Sequence, residues 1–111
     1  MSNNSAFSPF GPTYVVGQSP VQVVCTGNMR ATSYRFRNLQ TTAQYIAWQA
    51  PLQKGAVPTF PTVTAPVQGT PQAQTLGLLG TSVEVFSNLP PDAWFQSTQA
   101  ANFEVTPGEG V

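Results

Sequence analysis

The stretch Ser33-Tyr34-Arg35-Phe36-Arg37-Asn38 decides the fold. Apolar and charged side chains alternate along it with period two. In a strand, successive side chains point to opposite faces, so this alternation marks a half-buried β-strand. Tyr34 and Phe36 are expected to face a core, and Arg35 and Arg37 to face outward. The same kind of segment recurs on both sides. Tyr14-Val15-Val16 is a short strand ended by Gly17-Gln18-Ser19-Pro20. Residues 21–26 form a β-branched run between Pro20 and Gly27-Asn28. Residues 45–49 place Tyr45 and Ala47 on one face and Ile46 and Trp48 on the other. The connection Leu39-Gln40-Thr41-Thr42-Ala43-Gln44 fits a hairpin longer than a tight turn.

C-terminal to these, residues 81–86 alternate again, with Val83 and Val85 expected inward and Glu84 outward. Asn88-Leu89-Pro90-Pro91-Asp92 reads as a turn, residues 93–97 as a strand, and residues 103–106 as a last strand with Glu104 outward. Pro107-Gly108-Glu109-Gly110-Val111 reads as a stop. No window carries the i, i+3, i+4, i+7 repeat of a helix. Short strands at regular spacing with turn residues between them predict an all-β antiparallel sandwich or small barrel.

Two segments fall outside this pattern. Residues 1–13 are rich in Asn, Ser, Pro and Gly and carry Phe7 and Phe10. They read as an extended arm, either a free tail or one that docks by its phenylalanines on a neighbour. Residues 50–75 carry Pro51, Pro58, Pro61, Pro66 and Pro71. Proline fixes φ and removes the ladder donor, so no central strand is expected there. Loops above roughly 12–15 residues tend to be functional or flexible. The apolar Val57, Phe60, Val63 and Val67 suit this loop to lying along a surface, its own or a neighbour's. Residues 14–107 are expected to form one domain and residues 108–111 a short tail.

Composition narrows the function. Charged residues make up 7% of the chain, four basic against four acidic, where an ordinary soluble domain carries roughly 25%. Monomers usually keep soluble with a mixed charged surface and a net charge away from zero. A surface this poor in charge is expected to be covered by partners, self-association included. Nucleic-acid binders carry basic stripes that neutralise phosphates. Here Arg30, Arg35 and Arg37 make only a local cluster, so no nucleic-acid partner is expected. The start MSNNSAFSPF lacks the basic and apolar regions of a signal peptide. No stretch reaches the ~18 apolar residues of a membrane-spanning helix, so synthesis in the cytoplasm and no membrane partner are expected.

Histidine is absent, which removes Ser-His-Asp and Cys-His devices and His metal ligands. The lone Cys25 can form no intrachain disulfide and no zinc site. Glu84, Glu104 and Asp92 read as solvated carboxylates rather than a glycosidase pair. Gly77-Leu78-Leu79-Gly80 lacks the Lys-Ser/Thr continuation of a phosphate loop. No enzyme, cofactor or metal is expected. Arg35 and Arg37 share one outward face. They would pair with Glu84 across the sheet or recognise acidic groups on a neighbour. Trp48 and Trp94 would fill the core or stack on sugar rings.

The arm, residues 34–38, residues 45–48 and the ending from Ala93-Trp94-Phe95-Gln96-Ser97 through Phe103-Glu104-Val105-Thr106-Pro107-Gly108-Glu109-Gly110 resemble small virion-associated proteins of tailed bacteriophages. The similarity is to head decoration, or cement, proteins with a β-sandwich or jelly-roll body. The resemblance covers most of the chain in pattern and rests on no catalytic motif. It implies a jelly-roll-like domain that binds the outside of a phage capsid and bridges subunits of the major capsid protein, itself associating as a dimer or trimer. Contacts are then expected from Phe7 and Phe10, from Val57, Phe60 and Val63, and from Arg35 with Arg37. The alternatives are a head-completion or tail component, and a carbohydrate-binding module.

Overall fold

In the computed structural model the described residues are 7–52, 57–58, 62–98 and 102–109. They form nine strands and no helix: β1 (Ser8–Pro9), β2 (Tyr14–Val16), β3 (Val21–Gln22), β4 (Ser33–Asn38), β5 (Gln44–Gln49), β6 (Thr75–Leu78), β7 (Val83–Phe86), β8 (Trp94–Ser97) and β9 (Phe103–Glu109). Every strand pairing is antiparallel. One sheet runs β1-β9-β4-β7, with β2 also on β9; the other runs β3-β8-β5-β6.

The core lies between the two sheets. Tyr34 and Phe36 of β4 and Phe103 and Val105 of β9 meet Ile46 of β5, Leu78 of β6 and Phe95 of β8. The Phe95 ring stands edge-on to Tyr34 at 5.0 Å and to Phe36 at 5.4 Å, the geometry the aromatic quadrupole favours. The alternation in residues 33–38 is thus realised: Tyr34 and Phe36 are buried and Arg35 and Arg37 exposed. Tyr34 directs its hydroxyl to the Pro90 carbonyl at 2.7 Å and accepts from the Ala93 N–H at 3.2 Å. It thereby fastens the Asn88–Asp92 turn to the core.

Several expectations need correction. Val83 and Val85 do not face inward. They stand opposite Arg37 and Arg35, whereas Glu84 stands opposite Phe36. The strand is an edge, so Glu84 stays solvated even on the inner side, and Phe86 supplies the core contact. An inward-pointing charge is also a device that blunts edge-to-edge pairing. The arm is not wholly without regular structure: Ser8 and Pro9 pair with Glu109 and Gly108.

Residues 107–109 do not stop the last strand. The Phe10 N–H donates to the Pro107 carbonyl. A strand residue directs its N–H and C=O to the same side, so the donor that Pro107 lacks faces the break between β1 and β2. The run 21–26 keeps strand pairing only at Val21–Gln22, continued by one bond from the Val23 N–H to the Ala93 carbonyl.

The proline-rich segment also ends differently from the expectation. Strand β6 begins at Thr75, and a two-residue turn links Val67 to Thr70 with Gly69 at φ +84°. Left-handed backbone at that position suits glycine. Val63 is only 7% exposed, whereas Val57 is 60% exposed. Of the loop reading, then, the Val63 part lies along the chain's own body.

Candidate interaction surfaces

Register places seven side chains on the outer face of the β1-β9-β4-β7 sheet in two rows. Val15, Glu104, Arg37 and Val83 form one row. In the other, Thr106, Arg35 and Val85 lie side by side, and the Thr13 hydroxyl bonds to the Thr106 hydroxyl at 2.7 Å. Thr13, Arg35, Arg37, Glu104 and Thr106 line a shallow polar depression.

The carboxylate that meets Arg37 is Glu104, not Glu84. Arg37 donates to Glu104 at 3.4 Å, with the two side chains 58% and 34% exposed. An exposed pair at that distance contributes a few tenths of a kcal/mol. Arg35 stands between Thr106 and Val85 with no carboxylate opposite it. Among the described residues its guanidinium has no ion-pair partner, and Val85 offers apolar surface beside it.

The arm closes one end of this face. The Phe7 ring lies over Gly108, where a Cβ would come within 2.5 Å of the ring and 2.3 Å of the Ser8 carbonyl. Phe10 has both backbone groups engaged, donating to Pro107 and accepting from Thr26. Both phenylalanines are partly buried on their own chain. Phe60 lies outside the described residues.

The outer face of the second sheet has a different chemistry. Gln22, Trp94 and Gln49 stand in one row, Gln96, Ala47 and Thr75 in the next, and Tyr45 beside Gly77 in a third. Trp48 points the other way and packs on the core. Of the two tryptophans, then, the outer one is Trp94. Residues 62–63 and 72–74 rise beside this face and enclose a cleft against Ala47, Gln49 and Thr75.

Elsewhere among the described residues Cys25 is the one thiol. Burial pushes the Cys25 thiol up, and the nearby Asp92 and Glu109 carboxylates push it further. That is the opposite of the electropositive setting that makes a thiol reactive. Among the described residues no group of three Cys, Asp or Glu stands close enough to hold a metal. The Arg35 face was legible from the period of residues 33–38. The glutamine face was not, because its residues come from four strands whose pairing leaves no local signature. No family model, no curated protein and no solved structure matches this chain.

Proposed function

We propose that this chain is a non-enzymatic structural protein of a phage virion that binds the outer surface of the capsid and bridges major capsid subunits. The observation that carries the reading is the face around Arg35: a guanidinium with no ion-pair partner among the described residues, beside Arg37 and set among valines and threonines. Arginine beside apolar surface is what protein interfaces select, because its planar fork binds carboxylates while its stem covers apolar area. The very low charge of the chain supports extensive coverage by partners. Val57 adds an exposed apolar contact from the loop.

The strand order supports a jelly-roll reading. Apart from β1 to β2 and β5 to β6, successive strands lie in different sheets, and the two orders, β1/β2-β9-β4-β7 and β3-β8-β5-β6, fit two interleaved Greek keys. Jelly rolls serve in viral capsids and also in lectins and cupins, so the fold alone does not select the role.

Quantitative mass spectrometry of purified virions tests the proposal. Copy numbers comparable to the major capsid protein are expected. A few copies per particle would move the chain to a head-completion or tail role, and absence from virions would overturn the reading. Many symmetry-related sites make weak individual contacts sufficient, so binding to intact shells is expected to exceed binding to isolated capsid subunits.

A further inference from the structure

We infer that the outer face of the β3-β8-β5-β6 sheet, together with the cleft beside it, is a binding site for a neutral saccharide. The argument begins at Gln96. Its position opposite Ala47 puts it on the outer face, next to Trp94 along the same strand. It is only 8% exposed. No hydrogen bond among the described residues engages its side-chain amide. Buried amides are nearly always hydrogen-bonded, and one left unpaired costs its full desolvation. A residue retained under that cost, in the centre of a sheet face, fits a group kept for a ligand.

The surroundings define the ligand's chemistry. Gln49, Gln96 and Tyr45 give the face two amides and a hydroxyl; Gln22 and Thr75 stand there too, the Gln22 amide donating to the Asp92 carbonyl and the Thr75 hydroxyl to the Ala73 carbonyl, and none of these described residues is charged. Gln72 adds one more amide at the cleft, and Gln74, whose amide donates to the Trp48 carbonyl, adds its side-chain carbonyl. An amide both donates and accepts, which matches a hydroxyl that does the same. A phosphate, a nucleotide or an acidic peptide would find no cation among the described residues of this face and cleft. Trp94 supplies the remaining element. It is partly exposed and stands in register between Gln22 and Gln49, and an indole face packs against the C–H face of a pyranose ring while its N–H reaches a hydroxyl. The polar groups lie on paired strands, so they are held before the ligand arrives, and little ordering entropy is lost on binding. This face is separate from the arginine face, and either assignment can fail without the other.

The test is a titration of the full-length chain with cellohexaose, maltohexaose and xylohexaose, followed by tryptophan fluorescence and calorimetry, with polygalacturonate as the acidic comparison. At least one neutral oligosaccharide is expected to shift the emission. Trp94→Ala and Gln96→Leu are each expected to weaken that binding by about tenfold or more, and Arg35→Ala to leave it unchanged. Gln96→Leu separates a ligand role from a structural one, because removing an unpaired buried amide should hold or raise the thermal midpoint. Retained affinity with a lowered midpoint would overturn the proposal. Silence toward every neutral oligosaccharide up to about 10 mM would also do so. Binding restricted to polygalacturonate, or an emission change that follows protein concentration alone and so reports self-association, would overturn it as well.

Discussion

Tyr34 joins the two scales at which this protein is stabilised. Its ring is fully buried against Phe95, and its hydroxyl closes two hydrogen bonds to the turn around Pro90 and Ala93. Tyr34→Phe keeps the ring and strands both turn partners, so a loss of about 1–3 kcal/mol is expected in urea denaturation. Burial also pushes the phenol up to about 12, from an ordinary value of 10.0. An acid whose folded value is raised favours folding while it is neutral. That contribution is complete below pH 10 and is lost as pH rises towards about 12. Stability is therefore expected to fall by about 2 kcal/mol between pH 9.5 and pH 12. Tyr34→Phe should flatten that decline in a Cys25→Ser background. An equally steep decline without the phenol would assign it to other groups. At the arginine face, Arg35→Ala with Arg37→Ala should weaken shell binding more at low salt than at high salt, since salt screens exposed pairs. A loss that ignores salt would show that the arginines act by packing.

Individual strands were legible to different degrees, for reasons that lie in their positions. Residues 33–38 were read without error because β4 is a central strand with one face in the core, so each side chain reports its side. The valines of β7 misled because the strand is an edge, where burial no longer separates the two faces and an outward valine costs little. Leu76 and Leu78 alternate as β6 requires, but Gly77 between them and the prolines before them mask the signal. Gly77 is where the Tyr45 ring lies, with room for no Cβ.

Two other glycines give element-scale predictions. At Gly80 a Cβ would lie 2.1 Å from the Thr41 carbonyl oxygen and 2.9 Å from the Thr42 nitrogen. The hairpin loop after β4 and the loop before β7 are pressed together there, with Asn38 donating to the Leu78 and Leu79 carbonyls and Thr81 to the Gln40 carbonyl. Backbone cannot give way as a side chain can, so Gly80→Ala should cost about 1–3 kcal/mol of global stability. Gly108→Ala meets Phe7 and Ser8 instead, and only β1 needs to move. It is expected to speed hydrogen exchange at the Phe10 amide by detaching the arm from β9, with core amides unchanged. Uniform acceleration across the core would show that the arm is integral to the fold.

At the scale of the whole molecule, β9 is the strand on which the fold closes. It holds β1 and β2 on one side and β4 on the other, so the first and last described strands meet at Ser8 and Glu109. No local pattern encodes such a pairing, which is why most strands, β1 and β6 excepted, could be read from the sequence while their order could not. The arrangement also sets the cost of assembly. Strands far apart in the chain must come together before either sheet gains its core, and loop closure is lost before burial compensates. Refolding is therefore expected on the millisecond-to-second scale of all-β domains, in one phase with one unfolding transition. A chain ending at residue 102 would lose Phe103 and Val105 from the core together with the partner of three strands. Partial folding then leaves the β3-β8-β5-β6 sheet with its apolar face uncovered, and a single exposed sheet of this size does not sustain itself. The truncated chain is expected to show collapsed amide dispersion in its NMR spectrum, and to regain dispersion when a peptide of residues 103–111 is added, because an added strand can complete an open sheet edge. A dispersed spectrum without the peptide would mean that the second sheet folds alone, and that the molecule is two cooperative units rather than one.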